Sequence, residues 1–287
     1  MEWQRSFKRT GLGNQFFFYA SLVGVAKRNG FTPVIPSYSP LLSILKDTTS
    51  ETIVVDPDKY DLLISNGTDI PQHEVHSSFC CTYFGYTEKI HHVLDRDVVL
   101  RGAFQSWKYF HPDNYDAIRS AFTFREDIRA KAAAVLGSLL AIEHRRKTKV
   151  GLHIRRGDIM KSHLRKFGHI PAPKSYFDAA ITYMSNRHPH CVFIVVSNDM
   201  PWAKNSLKSA QHTVMFAPDK LSPEVSLTML TMMDHLIISV GTFSWWSAYL
   251  SNATDVVYFN GTPEPLSFYD VAFRAEDYYL PHWVGLS

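Results

Sequence analysis

The chain has 287 residues, of which 45% are hydrophobic and 20% charged, and carries a net charge of +3 with its 14 histidines neutral. That length exceeds what one hydrophobic core usually organises and fits about two domains, while the composition excludes a disordered or fibrous chain. The small positive excess, with no basic stretch longer than His144-Arg145-Arg146-Lys147, excludes a nucleic-acid-binding stripe.

Gly11-Leu12-Gly13-Asn14-Gln15 precedes an apolar segment, 16–28, that reads as a helix closed by Asn29-Gly30. Short strands are expected at 31–35, 53–55 and 98–104, whereas 66–96 has no dominant period. Residues 125–145 read as a long helix. A boundary placed at 148 gives an N-terminal domain 1–148 and a C-terminal domain 149–287, whose last segment is free to pack back on the first. Beyond it the rhythm is clear. Strands at 149–155, 191–197, 213–216, 235–240 and 255–259 alternate with helices at 174–187, 200–208, from Ser222-Pro223-Glu224 onward, and 242–250. The run Cys191-Val192-Phe193-Ile194-Val195-Val196 is apolar on both faces, as in a parallel strand covered by helices. This order implies right-handed βαβ units, and such sheets bind ligands beyond the carboxyl ends of their strands.

Three polar constellations follow strands there. In His153-Ile154-Arg155-Arg156-Gly157-Asp158, two arginines offer planar forks that match phosphate oxygens and can stabilise charge growing on a leaving diphosphate. The competing reading is a structural ion pair to Asp158. Ser197-Asn198-Asp199 offers a carboxylate to a base or ribose, or simply a helix cap. Ser239-Val240-Gly241-Thr242-Phe243-Ser244-Trp245-Trp246 places a glycine turn before a helix whose first amides are open to phosphate, with Thr242 and Ser244 as hydroxyl donors; Trp245 and Trp246 read as core. Gly11 to Gln15 lacks the third glycine of a dinucleotide loop and the lysine of a P-loop, so Asn14 and Gln15 are cleft-facing or capping groups.

Asp56-Pro57-Asp58 and Asp95-Arg96-Asp97 fit an Asp-x-Asp metal pattern, but both read as turns, and His91-His92 and His188-Pro189-His190 lack helical ligand spacing; no metal is expected. The cysteines are Cys80, Cys81 and Cys191, without a CxxC pair, so structural zinc is not expected. No apolar run is long enough to span a bilayer, and the first residues do not read as a signal peptide. Sequons at Asn66, Asn252 and Asn260 suit a luminal setting, in which case this chain lacks its anchor.

Taken together, Gly11 to Ala20, His153 to Asp158, Ser197 to Asp199 and Asp234 to Trp246, with Phe104 to Phe110 and Leu280 to Gly285, resemble glycosyltransferase family 11, the α-1,2-fucosyltransferases, over the chain from residue 11 onward. The resemblance implies an α/β, GT-B-like fold of two Rossmann-type domains facing a cleft, with the donor on the second. It implies inverting, metal-independent transfer of fucose from GDP-fucose, as donor substrate, to the 2-hydroxyl of a galactose-terminated glycan. By the same resemblance Arg155 contacts the diphosphate as the catalytic residue, and Arg156 shares the donor site. His153 and Asp199, with Ser197 and Asn198, meet the nucleoside; Thr242, Phe243 and Ser244 lie at the phosphates; Asn14 and Gln15 lie on the acceptor side. Relatives imply a Golgi lumen held to the membrane by an anchor. An O-fucosyltransferase or α-1,6-fucosyltransferase with the same donor, or an inactive glycan-binding pseudo-transferase, are the alternatives. Family members carry an apolar strand before the first motif, whereas residues 3–10 here are polar. For a proton acceptor, Asp158, His111 and Asp113 are candidates by position alone.

Overall fold

The computed structural model describes residues 10–48, 50–71, 81–85, 97–111, 113–207 and 211–287. The chain divides into two compact units, Met1–Arg125 with Ala272–Leu280, and Glu126–Val271 with Pro281–Ser287. This division and the boundary at 148 differ by the segment 126–148, which contains a helix.

In the first unit, α1 (Leu12–Arg28) buries Phe16, Phe17, Tyr19, Ala20 and Val23 completely or nearly so. Each large apolar side chain removed from water contributes about 1.5–3 kcal/mol, which holds this helix against Phe122, set edge-on to Phe16 at 4.8 Å. The helix begins four residues earlier than its apolar pattern suggests, so Asn14 and Gln15 lie inside its first turn. Strands β1 (Val34–Pro36) and β2 (Ile53–Val55) pair in parallel. Then follow α2 (Pro57–Asn66), β3 (Thr68–Pro71) and β4 (Val98–Arg101), the two strands again parallel, and α3 (Tyr115–Ala121). The returning segment 272–280 is tied in by Lys108 Nζ to Asp277 Oδ1 at 2.6 Å, and by Ser106 Oγ donating to Asp277 O at 2.6 Å. Residues 3–9, the polar counterpart of the strand expected before the first motif, lie outside the described residues.

In the second unit, α4 (Glu126–Leu139) stops well short of 145, giving way to a 3-10 turn at Ile142–His144. Then come β5 (Thr148–Ile154), α5 (Ser162–Phe167), α6 (Lys174–Arg187), β6 (Cys191–Ser197), α7 (Met200–Ser206), β7 (Val214–Phe216), α8 (Pro223–Thr231), β8 (His235–Ile238), α9 (Thr242–Leu250), β9 (Val256–Phe259) and β10 (Val284–Leu286). All neighbours in the sheet run parallel, in the order β10-β9-β8-β5-β6-β7. Strand order therefore reverses between β5 and β8, and the crevice beyond their carboxyl ends is the place where such sheets hold ligands. Beneath it Phe193, Leu152, Ile237, Trp245 and Trp246 are fully buried. Elements that the sequence does not announce include α5, the helix Phe268–Val271 and β10, each too short to show a period.

Candidate functional site

Three loops leave the sheet at the reversal of strand order, after β5, β6 and β8. Arg155 is the first residue beyond β5, with its backbone N–H given to Ser239 Oγ, at 2.9 Å, beyond the end of β8. Its guanidinium binds Asp158 with two hydrogen bonds, Nε to Oδ1 at 3.1 Å and Nη2 to Oδ2 at 2.7 Å. The pair fixes the fork and leaves Nη1 turned toward Gly241, where an added Cβ would collide with it. Gly241 adopts φ 90°, ψ 165°, a conformation essentially reserved for glycine, and opens α9. The arginine head thus lies against a helix N-terminus, where backbone amides and the helix dipole already favour an anion.

Asn198 organises the loop. Its Oδ1 accepts from the backbone N–H of Arg156 at 2.7 Å and of Gly157 at 3.0 Å, while its Nδ2 donates to Asp158 Oδ1 at 3.0 Å. The Arg155 guanidinium, with lesser help from Asn198, holds the Asp158 carboxyl down at about 2 against the opposing effect of burial. A carboxylate so committed is a poor proton acceptor, which weakens Asp158 as a candidate base. Asp199 caps α7, accepting from Trp202 N–H at 3.3 Å, and its other oxygen lies 3.7 Å from Arg156 Nε. Ser197 Oγ accepts from Asp199 N–H at 2.9 Å. Arg156 also lies over the Trp202 ring, 4.5 Å from its centre, which fixes the second fork by a cation–π contact.

His153 is buried, its Nδ1 2.5 Å from Ser244 Oγ and its ring 4.9 Å from that of Phe243. Burial, reinforced by the Arg155 charge, pulls its pKa to about 3 although Asp158 opposes the shift, so the ring is neutral at physiological pH. The Ser244 hydroxyl is also buried and lies 3.2 Å from Val240 O. Expected at the phosphates, Ser244 here turns its hydroxyl inward and holds His153. Thr242 and Phe243 are partly exposed at the start of α9. Two residues that no motif marks also sense Arg155. The half-buried His169 is pulled to about 4 by burial and then by Arg155. The buried Tyr269, with its ring 4.5 Å from that of His169, is pushed up to about 12 by burial.

A family model described as glycosyl transferase family 11 matches residues 8–287. The chain belongs to glycosyl transferase family 11. Curated relatives include galactoside alpha-(1,2)-fucosyltransferase 2 of Oryctolagus cuniculus, 30% identical over 96% of this chain and 74% of the relative. Galactoside alpha-(1,2)-fucosyltransferase 1 of Homo sapiens is likewise 30% identical, over 96% of this chain and 72% of its own length. Among solved structures, an Arabidopsis thaliana FUT1 mutant in complex with GDP aligns with a TM-score of 0.59 at 11% identity, covering 94% of this chain and 73% of that one. POFUT1 in complex with GDP aligns with a TM-score of 0.54 at 13% identity, covering 88% and 96%. The fold is GT-B-like, and the chain is a glycosyltransferase.

Residues expected elsewhere fall as follows in this family 11 chain. Asn14 and Gln15 belong to the first unit, where Gln15 is buried and its Nε2 donates to Thr10 O at 2.9 Å. That inward bond makes Gln15 a brace at the start of the helix. Asp113 pairs with Arg28 at 3.3 Å, also in the first unit. Asp56 caps α2, accepting from Lys59 N–H at 2.8 Å, which accounts for one of the Asp-x-Asp patterns; part of the other lies outside the described residues. Asn66, Asn252 and Asn260 are all exposed. His188 is not an isolated surface residue. With His235 and Asp255 it forms a cluster at the amino ends of the strands, far along the sheet from Arg155. His188 Nε2 lies 2.8 Å from Asp255 Oδ2, and Arg187 holds Oδ1 at 3.0 Å. The two imidazoles stack at 3.6 Å and 18°, and His235 Nδ1 accepts from Asp255 N–H at 3.3 Å. Among the described residues no helix is long and apolar enough to cross a membrane.

Proposed function

We propose that this chain transfers L-fucose from GDP-fucose to the 2-hydroxyl of a terminal β-galactoside, with inversion and without a metal ion. The observation that carries the proposal is the Arg155 guanidinium, aimed by Asp158 across Gly241 at the N-terminus of α9. Cleavage of the bond between fucose C1 and the β-phosphate oxygen leaves an extra negative charge on GDP, while the acceptor oxygen bonds C1 from the opposite face. A fixed guanidinium and the positive end of the α9 dipole stabilise that charge more in the transition state than in the intact donor. Arg156, steadied by Trp202 and Asp199, supplies the second cation, so the diphosphate is neutralised by the chain itself. Asp158 orients Arg155. With that carboxylate committed, the acceptor proton leaves on the departing phosphate or to solvent. His153, neutral and wedged between Ser244 and Phe243, shapes the floor of the site beside Arg155.

The names of the relatives support galactose as acceptor, and the exposed sequons at Asn66, Asn252 and Asn260 suit a setting in the Golgi lumen. The test is release of GDP from GDP-fucose in the presence of EDTA, with β-galactoside and control acceptors. Release that depends on the β-galactoside and persists in EDTA is expected. Release that needs an added divalent ion, or that ignores the acceptor, would overturn the proposal.

A further inference from the structure

The charge of Arg155 reaches a second imidazole, that of His169, which the chemistry above does not use. The backbone around His169 is clamped. Its N–H donates to Leu164 O at 3.1 Å, and its carbonyl accepts from Arg165 Nη1 at 2.7 Å. On either side of it, Gly168 O accepts from Glu264 N–H at 2.9 Å and Ile170 N–H donates to Thr262 Oγ1 at 3.3 Å. The ring packs against Tyr269 at 4.5 Å and Phe167 at 5.6 Å. Its position is therefore set without its nitrogens, and neither nitrogen bonds a group among the described residues. Packing alone does not account for an imidazole here. An apolar side chain would fill the half-buried space without two polar nitrogens to desolvate.

The sheet says which part of a sugar nucleotide this ring meets. β5 lies between β6 and β8, with β9 beyond β8. Asp199, beyond β6, therefore stands on one side of Arg155. Gly241, beyond β8, and Thr262, beyond β9, stand on the other, and the bond to Thr262 ties the His169 loop to that second side. A carboxylate such as Asp199 suits the hydroxyls of a ribose or the edge of a base and repels phosphate. The nucleoside then falls on the β6 side, the diphosphate at Arg155 and Gly241, and the sugar on the side of His169. We propose that the His169 imidazole hydrogen-bonds a hydroxyl of the transferred sugar. The inference rests on the GDP-fucose reading above. Burial, and then the Arg155 charge, pull the His169 pKa to about 4, so the ring is neutral at physiological pH. A neutral imidazole carries one donor and one acceptor, and a sugar hydroxyl can answer either. A phosphate oxygen answers only the donor.

The experiment is calorimetry of the full chain with GDP and with GDP-fucose, for the parent, His169→Leu, His169→Phe and His169→Gln. Leucine and phenylalanine keep an apolar body against Tyr269 and Phe167 and remove both nitrogens. Of these two, the variant whose melting temperature lies nearer the parent's is the one to read. It should bind GDP-fucose about two- to tenfold more weakly and GDP as the parent does. Glutamine offers an amide donor and acceptor and should bind GDP-fucose more tightly than either apolar variant. Equal weakening of GDP and GDP-fucose would assign the ring to the diphosphate or to packing and overturn the proposal. Unchanged affinity for both nucleotides would overturn it too. A parent that binds neither nucleotide would overturn the donor reading itself, and this inference with it.

Discussion

Replacing Gly241 by alanine tests the geometry of the donor site without removing any of its charged groups. The backbone there sits at φ 90°, ψ 165°, and holding alanine in that region costs about 1–3 kcal/mol. The new methyl group would also occupy the space of Arg155 Nη1, so the guanidinium must swing away or release Asp158. Losing one well-aimed donor to a developing oxyanion costs about 10²- to 10³-fold in turnover, and a displaced arginine should fall near the lower figure. Gly30→Ala separates the two effects. Gly30 has φ 72° but no atom within 4 Å of an added Cβ, so its variant shares the backbone strain and spares the arginine. Melting temperatures of both variants, with GDP release from GDP-fucose under saturating acceptor, decide the matter. Both should melt earlier, and only Gly241→Ala should lose turnover. Equal turnover in the two variants would refute the claim that Arg155, held at this turn, works on the diphosphate.

Arg155→Ala should lower turnover by about 10²-fold or more, and Arg155→Lys should recover little, because a point charge cannot reproduce both the fork to Asp158 and the contact at the helix; steady-state kinetics of the pair checks this. Asn198→Ala frees the Arg156 and Gly157 amides and the Asp158 carboxylate in a partly solvated loop. It should cost no more than about 0.5–1.5 kcal/mol in stability but weaken GDP binding measured by calorimetry, with wild-type affinity as the refuting result. Acid sensitivity follows from His153, whose folded pKa of about 3 lies below its ordinary 6.5. The unfolded chain binds the extra proton between those values, so stability is full above pH 6.5 and falls as pH drops, by up to about 1.4 kcal/mol per unit. Asp158, at about 2 folded against 3.8, adds a second loss of the same sign below pH 4. Thermal melts of His153→Asn should be flatter between pH 6.5 and 4 than those of the parent; an identical slope would refute the assignment.

The second unit was legible in the sequence because its strands are buried on both faces. Cys191 to Ser197 and the helices 174–187 and 242–250 fall where apolar run length and period put them. The Arg155, Asn198 and Gly241 loops could be found because a parallel sheet presents its ligand-binding loops at one end. What the sequence hid was the direction of short side chains. Ser244 sits in the same motif as Thr242, and only the helix phase shows that it turns inward to His153. His169 and Tyr269 are invisible for another reason: each sits on a short segment without a period, and they meet only through tertiary packing. In the first unit, α1 starts early because Gly11 supplies an extended N-cap and Leu12 a helical start, signals weaker than the phenylalanines that follow. A strand of four residues such as β3, inside the stretch 66–96 without a dominant period, gives alternation too few positions to register.

The two readings of the arginine motif, an ion pair with Asp158 or a grip on phosphate, describe one device. An unpaired arginine just beyond a strand would sample many rotamers, and binding a diphosphate would have to quench that freedom. Asp158 takes two of its hydrogen-bonding positions in advance, Asn198 fixes Asp158, and Ser239 fixes the arginine's own backbone. The charge of the pair is balanced before the donor arrives. The field of the helix N-terminus and of Arg156 then selects for the anion, and the guanidinium can strengthen its contact as charge develops without first reorganising. This predicts that Asp158→Asn, which keeps the shape but weakens the clamp, lowers turnover more than it weakens GDP binding. If the clamp were only structural, affinity, turnover and melting temperature would fall together. If it competed with phosphate for the arginine, Asp158→Asn would tighten GDP binding.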